Sequence, residues 1–422
     1  SSSAVLGLLV PMNAMASEIN IDEMNSYARN KSSSKKKFNS KTFSKELAKI
    51  NENDERINSG INKFEAGSFS STTTMSGSTS FVIGSIDNDE VYDSTATGSI
   101  TTHYSYNIDL KTSFNGDDNL SIGLEAGSND GTILGLDSTN YLLTTDNLYL
   151  SSIYYSFPLG SWDVAIGPKL GQDDLVSTTT SLYSDSFFFG GFYPDNTYAL
   201  PGLKGSGISV ARNFENGFNV GATLIGLEAS TNDGLFTKEG ADLKTIMFGY
   251  DGDNYGGGII YSKYDDIFDV GGKTGQYYLD YYGVSNLQLN TFGAGLYWIP
   301  TNKLTTNIGL NVVNADIGID ATNYTDFSLS MDYEFNEKNT FSAAWKALSF
   351  LNTNGTSDKV GDGFEFYYTH AANDSMNVKT GIYYASPSTN VGNGTTIKNG
   401  GTGDDWVLLD QVVYAFETTF KF

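Results

Sequence analysis

Cysteine is absent from the 422 residues, so no disulfide framework, thiolate metal site or cysteine nucleophile can be built. Proline is scarce, 7 residues, and there are only 2 histidines, His103 and His370. Two histidines do not make a histidine-rich zinc or iron centre, and neither adjoins a serine motif, so a hydrolytic triad is the minor enzymatic alternative. No internal stretch approaches the roughly 20 apolar residues that a membrane helix needs. Basic residues are outnumbered by acidic ones, 25 against 49, for a formal net charge of -24. That balance argues against nucleic acid as a partner. The acid excess reads either as the hydration of exposed loops or as a functional field. What the chain does hold is strand material: 46 glycines, 27 tyrosines and 26 phenylalanines, at a mean hydropathy of -0.26.

Residues 1–16 contain a short apolar stretch, Ala4 to Val10, followed by Ala14-Met15-Ala16. A stretch too short to span, closed by a small-x-small pattern, reads as the remainder of a secretory signal peptide. Residues 17–42 are polar, and 29–37 form a basic island, Arg29 to Lys37, in an otherwise acidic chain. The island is a solvated linker or a contact for a polyanionic wall polymer or lipid phosphate. In 43–66, the residues Leu47, Ile50, Asp54, Ile57, Ile61 and Phe64 follow the alternating three-and-four spacing of a heptad seam. The spacing predicts a short oligomeric coiled coil or a single amphipathic helix, with Asp54 and Gly60 weakening the former.

From residue 67 to 422 the period is two. Ile100, Thr102, Tyr104, Tyr106, Ile108 and Leu110 share one face; so do Leu304, Thr306, Ile308, Leu310 and Val312, and Phe327, Leu329, Met331, Tyr333 and Phe335. Their neighbours are polar, which suits strands with one apolar and one watery face. The final run repeats the pattern, with Val412, Tyr414, Phe416, Thr418, Phe420 and Phe422 on one face and Gln411, Glu417, Thr419 and Lys421 on the other. Tight turns are predicted at Asn115 to Asp118, Pro158 to Gly160, Glu215 to Gly217, Asp251 to Asn254, Pro300 to Asn302, Asn336 to Lys338 and Asn373-Asp374. Longer polar connections centre near Asp89, Asp137, Asp185, Asp233, Asp269, Ile319, Thr356 and Gly394. Strict alternation of short and long connections predicts an all-β, transmembrane antiparallel barrel of about sixteen strands, both ends on the short-turn side.

The terminal aromatic strand resembles the closing strand of bacterial outer-membrane barrels. The junction Phe64 to Gly77, coupling the heptad segment to the first strand, is similar to that of cyanobacterial outer-membrane porins, relatives of the carbohydrate-selective porin family. The resemblance implies a homotrimer, held at the axis by the coiled coil, in the outer membrane of a Gram-negative-type cell with its N-terminal segment in the periplasm. It implies passage of small hydrophilic solutes and inorganic ions, iron included, with a specific carbohydrate channel or a structural or adhesive role as alternatives. Tyr414, Phe416, Phe420 and Phe422 would serve as the signal for the barrel-assembly machinery. Residues 17–42 are too short for the wall-binding domain that such porins usually carry, so the basic island 29–37 is the candidate for peptidoglycan or wall polymer.

The connection at about 172–205 is the third long loop, the one that folds inward in trimeric porins. It carries Asp173, Asp174, Asp185 and Asp195 with Phe187, Phe188, Phe189, Phe192 and Tyr193. The aromatics would pin the loop to the wall or contact solute; the aspartates could favour cations. The alternation points His103, Asp109, Lys111, Glu125, Asp163, Lys169, Lys346, Glu365 and Lys379 into the lumen. Mixed signs make a transverse field plausible, and lumen lysines could reverse the cation preference. Asp87 to Asp93 places carboxylates at alternate positions without the full calcium-loop pattern, and Gly256-Gly257-Gly258 lies in a period-two segment rather than in a phosphate loop. No cofactor or metal is expected.

Overall fold

The computed structural model describes residues 73–88, 100–128, 147–175, 177–183, 199–200, 202–227, 229–230, 232, 234–237, 240–265, 288–316, 321–351, 357–387, 397–398, 405–406 and 411–422. The signal-peptide reading, the basic island, the heptad seam, Asp185, Asp195 and the five loop aromatics from Phe187 to Tyr193 all lie outside these residues. In chain order the strands are β1 (Thr73–Asn88), β2 (Ile100–Thr112), β3 (Asn119–Gly127), β4 (Tyr149–Leu159), β5 (Trp162–Gly171) and β6 (Lys204–Asn213). They continue as β7 (Phe218–Gly226), β8 (Asp242–Asp251), β9 (Tyr255–Asp265), β10 (Gln288–Thr301), β11 (Leu304–Asp316) and β12 (Ala321–Asn336). The last six are β13 (Asn339–Leu351), β14 (Ser357–Asn373), β15 (Met376–Pro387), the two-residue pair β16 (Ile397–Lys398) and β17 (Asp405–Trp406), and β18 (Gln411–Lys421).

Every ladder is antiparallel to its sequence neighbour, and β18 pairs with both β15 and β1, closing a barrel of sixteen strands; β16 and β17 form a separate hairpin in the final long connection. All seven expected tight turns join consecutive strands. The chain alternates between them and the longer connections, so the strand count follows from turn chemistry and period alone. Near Ile319 and Thr356, however, the long connections shrink to residues 317–320 and 352–356, because β11 to β14 run on for 13 to 17 residues. At about 3.3 Å per residue these strands are far longer than the 9–11 residues that a tilted strand needs to cross a bilayer.

The exposure pattern assigns the faces. On β18, Tyr414 and Phe416 are 48% and 45% exposed, whereas Ala415 and Glu417 are 6% and 2% exposed. Apolar side chains point out all round the ring, among them Phe81, Ile246, Ile259, Leu296, Ile308, Leu329, Phe366 and Ile382. The buried residues that alternate with them are largely polar: Ser105, Ser209, Asn219, Thr245, Ser262, Thr291, Asn307, Ser328 and Ser342. A soluble barrel would reverse this arrangement, and hydrocarbon outside with polar groups inside is the membrane pattern. Strand ends are fixed locally. In the first short turn Asp118 Oδ1 accepts hydrogen bonds from Ser113 Oγ (2.8 Å), Phe114 N (2.8 Å) and Asn115 N (3.0 Å), and Oδ2 accepts one from Tyr155 OH. Burial alone would raise the carboxyl's pKa, but the bonds from Tyr155, Asn115, Phe114 and Ser113 outweigh it and bring it down to about 2.

Asp87 and Asn88, the start of the carboxylate-rich segment, are the last residues of β1 and pair with Val412 and Gln411. Both histidines are hydrogen-bonded at Nδ1, His103 to the Ser128 carbonyl and His370 to Asn339 Oδ1, each at 2.8 Å.

Candidate pore lining and the third loop

The connection from β5 to β6 turns into the barrel. Strand β5 carries one extra residue between Gly167 and Leu170 relative to β6, and between Ile166 and Lys169 relative to β4. A bulge of this kind interrupts the alternation and bends the strand. Two residues past it, Gln172 is fully buried and ties both limbs of the loop to the wall. Its Nε2 lies within donating distance of the Ala199 carbonyl (3.0 Å), Thr245 Oγ1 (2.6 Å) and Ser262 Oγ (3.0 Å), and its main-chain carbonyl accepts from Thr223 Oγ1 (3.1 Å). Thr223, Thr245 and Ser262 are inner-face residues of β7, β8 and β9. The returning limb packs Ala199 against Met247 and Ile260 of the same wall.

The outgoing limb, residues 177–183, travels along the inner wall strand by strand. Thr178 Oγ1 donates to Asn219 Oδ1 on β7 (2.9 Å); Asn219 Nδ2 in turn donates to Asp251 Oδ2 (2.9 Å), which Tyr297 OH joins at Oδ1 (3.0 Å). Farther on, Leu182 N donates to Asn307 Oδ1 on β11 (2.7 Å) and Tyr183 OH to Glu365 Oε1 on β14 (2.8 Å). The Tyr183 ring meets Tyr367 edge-on, with centroids 6.1 Å apart. Burial, then the charge and hydrogen bond of Glu365, push the Tyr183 hydroxyl well above its ordinary pKa, so it stays a donor. Asn219 and Asn307 stand within about four residues of short turns, and Glu365 stands near the middle of β14, so the limb runs between the short-turn mouth and mid-barrel.

Charged groups collect on the other side of the ring. Strands β2 and β10 are eight places apart among the sixteen, so β2 faces the part of the wall that carries the loop. Asp109 and Lys111 of β2 are exposed. Nearby, Glu125 accepts from Tyr149 OH (2.7 Å) and lies 3.9 Å from Lys204, and Lys169 donates to the Leu150 carbonyl with its ammonium 5.4 Å from the Tyr149 ring centroid. The loop's first acids join this group: Asp174 Oδ2 accepts from Gly171 N at 2.6 Å, and Asp173 stands next to Gly202. Asp163, on β5 opposite Ala211, is half-buried.

Lys346 and Glu365, with Asp326, form a separate, sealed set. Lys346 is 1% exposed and Asp326 0%, with Nζ 3.2 Å from Asp326 Oδ2. Glu365 is 5% exposed beneath Tyr183, and the half-buried Lys379 lies 5.8 Å from the centroid of the Tyr367 ring. The residues named from alternation thus differ in exposure: Asp109 and Lys111 are exposed, Glu125, Asp163, Lys169 and Lys379 are half-buried, and His103, Lys346 and Glu365 are buried.

Asp174 supplies a pH dependence. Burial raises its pKa; the Gly171 amide opposes this, Asp173 adds to it, and Lys204 and Lys111 oppose it, for a net value of about 6. Above that pH the carboxylate is ionised, and below it the group is neutral and Lys111 and Lys204 lose a counter-charge. If ions pass this cluster, the reversal potential under a salt gradient should move toward anions as pH falls from about 7 to about 5. Asp174→Asn should abolish that step and hold the acid-pH value throughout.

A closed sixteen-strand antiparallel barrel, apolar outside and polar inside, with a long connection folded along its inner wall, has the fold of outer-membrane β-barrel proteins. Among solved structures it is similar to OmpT, an outer membrane protein of Vibrio cholerae. The in-vitro folded trimer form matches at 12% identity and a TM-score of 0.57, covering 83% of this chain and 99% of that chain. The form expressed in the outer membrane matches at 13% identity and a TM-score of 0.56, covering 86% and 100%. No protein-family model matches the chain, and no curated protein matches it. At these identities the likeness is one of fold.

Sequence reading missed the groups that seat the loop: Gln172, Asn219, Asn307, Tyr183 and a set of wall glycines. The wall asparagines were legible as lumen-facing polar residues. That they receive the third loop depends on where the chain travels after Gln172, which no local pattern encodes.

Proposed function

We propose that the chain is an outer-membrane porin, a non-enzymatic diffusion channel for small hydrophilic solutes and inorganic ions. The observation that carries this reading is the third loop itself. Its limb at 177–183 runs inside the barrel from β7 to β11 and reaches β14 through Tyr183, across the ring from the exposed pair Asp109 and Lys111. An inward loop on one wall and hydrated charges on the other are the parts of a constriction: the loop limits size and the charges sort ions. The acids at its base, Asp173 and Asp174 with Asp109 and Glu125, favour cations over anions. A homotrimer in outer-membrane lipid fits the largely apolar outer belt, with β18 delivered by the barrel-assembly machinery and the basic island 29–37 reaching wall polymer. The sealed state of Lys346 and Glu365 makes them supports of the wall rather than ion contacts.

The test is single-channel conductance of the purified, refolded protein in a planar bilayer, with reversal potential measured under a salt gradient. Stable steps in groups of three with a cation-biased reversal are expected. A folded barrel that conducts nothing would sink the channel reading and leave a structural or adhesive role.

A further inference from the structure

Over residues 177–180 the third loop is seated on wall glycines. Four glycines stand in one unbroken row across β8 to β11: Gly249 pairs with Gly258, Gly258 with Gly295, and Gly295 with Gly309. All are on the lumen face, since they share parity with Thr245, Ser262, Thr291 and Asn307. The row is flanked by Asn219 on β7, the partner of Gly249, and by Ser328 on β12, the partner of Gly309. Residues 177–183 run in this lane. A Cβ added at Gly295 would stand 2.2 Å from the Thr180 carbonyl oxygen, and its three nearest atoms would all belong to Thr180. One added at Gly258 would stand 2.2 Å from Thr178 Cγ2, one at Gly249 2.8 Å from the same methyl, and one at Gly221 on β7 2.8 Å from Ser177 Oγ. The loop is therefore in contact with the backbone of the wall, as near as two chains can lie.

We propose that this glycine lane sets the bore of the channel, acting as a positioning element for the third loop; the inference rests on the channel reading above. Every side chain placed in the lane points toward the barrel axis, because the alternation of a strand offers only lumen or lipid. A methyl at Gly295 leaves the loop no way to move except off the wall, by about 1 Å to restore ordinary contact. Farther along, the limb is held by bonds from Leu182 N to Asn307 and from Tyr183 OH to Glu365. A loop lifted at Thr180 therefore bows into the lumen between fixed points and narrows the passage facing Asp109 and Lys111. The lane seats the loop and the flanking polar residues fix it.

The experiment compares single-channel conductance of the wild type with that of Gly295→Ala and Gly295→Val, using potassium chloride as the probe electrolyte. Conductance should fall roughly 1.5-fold for alanine and at least about 2-fold for valine, with the thermal transition of the folded barrel near the wild-type value for alanine. A second route keeps the test decisive if valine prevents folding. Gly258→Ala should also lower conductance, and Thr178→Ser should restore part of the loss, because it deletes the obstructing methyl and keeps the hydroxyl that bonds Asn219. Folded Gly295→Ala and Gly258→Ala barrels that conduct like a conducting wild type would overturn the lane while leaving the channel intact. A wild type that does not conduct would remove the channel reading, and the lane's role with it.

Discussion

Lys346→Met is expected to destabilise the barrel by about 3–5 kcal/mol, because it leaves Asp326 as a buried carboxylate without its cation. Asp326 is fully buried and Lys346 1% exposed, with their charged atoms 3.2 Å apart, and Asp326 Oδ1 also accepts from Asn311 Nδ2 at 2.9 Å. Methionine keeps most of the lysine's volume, so the loss is chiefly that of charge compensation. The double variant Lys346→Met with Asp326→Asn removes both charges and should recover most of the stability, since paired replacement of a buried ion pair is often close to neutral. Guanidinium unfolding of the refolded barrel in detergent, followed by the heat-modifiable shift in electrophoretic mobility, reads both values. A single variant as stable as the double would show that the pair is not sealed from water. The pair also separates two kinds of lumen lysine. Lys111→Gln, at an exposed position, should alter reversal potential with little effect on stability, whereas the Lys346 variants should act on stability and leave selectivity nearly unchanged.

Strand number, turn positions and the facing of most wall residues were legible because each is a local property. Asn-Gly and Pro-Leu-Gly turns and a period of two are written within ten residues, and β18 shows its lipid face as plainly in sequence as in exposure. Alternation also placed Asp109, Lys111, Glu125, Lys346 and Glu365 inward, but it could not say which would meet water. That division depends on which part of the wall the third loop covers, and on the extra residue in β5 that turns Gln172 toward β8 and β9. The glycine lane is hidden for a related reason. Gly249, Gly258, Gly295 and Gly309 are spread over 61 sequence positions and become neighbours only through the register of three ladders. Register follows from barrel shear, which is a property of the closed ring rather than of any strand.

Closure itself is the subject of the last expectation: deleting residues 420–422 should lower the amount of folded barrel at least tenfold, on the order of 1.4 kcal/mol or more of lost assembly free energy. Strand β18 is paired on both sides, with Phe420 opposite Thr79 of β1 and Met376 of β15. Phe422 adds a reciprocal backbone pair, Gly77 N to the Phe422 carbonyl at 2.8 Å and Phe422 N to the Gly77 carbonyl at 3.1 Å. Removing these residues strands the amide and carbonyl groups of β1 at the seam, where lipid offers no replacement partner. The side chains contribute separately. Phe422 stacks on Tyr106 at 6.1 Å and Phe420 meets Phe81 edge-on at 5.9 Å. Gly77 makes room for the first contact, since a Cβ there would come within 2.7 Å of the Phe422 ring. Phe422→Ala keeps the ladder and loses the ring, so it should reduce the folded fraction less than the deletion does, and Gly77→Val should imitate it from the other side of the seam. The readout is the heat-resistant folded band in isolated outer membranes and, in parallel, refolding yield into detergent. A deletion that refolds normally in detergent yet is missing from membranes would assign the three residues to delivery by the assembly machinery. Equal losses in both would assign them to the seam, and no loss in either would show that β18 closes the barrel without its last turn of pairing.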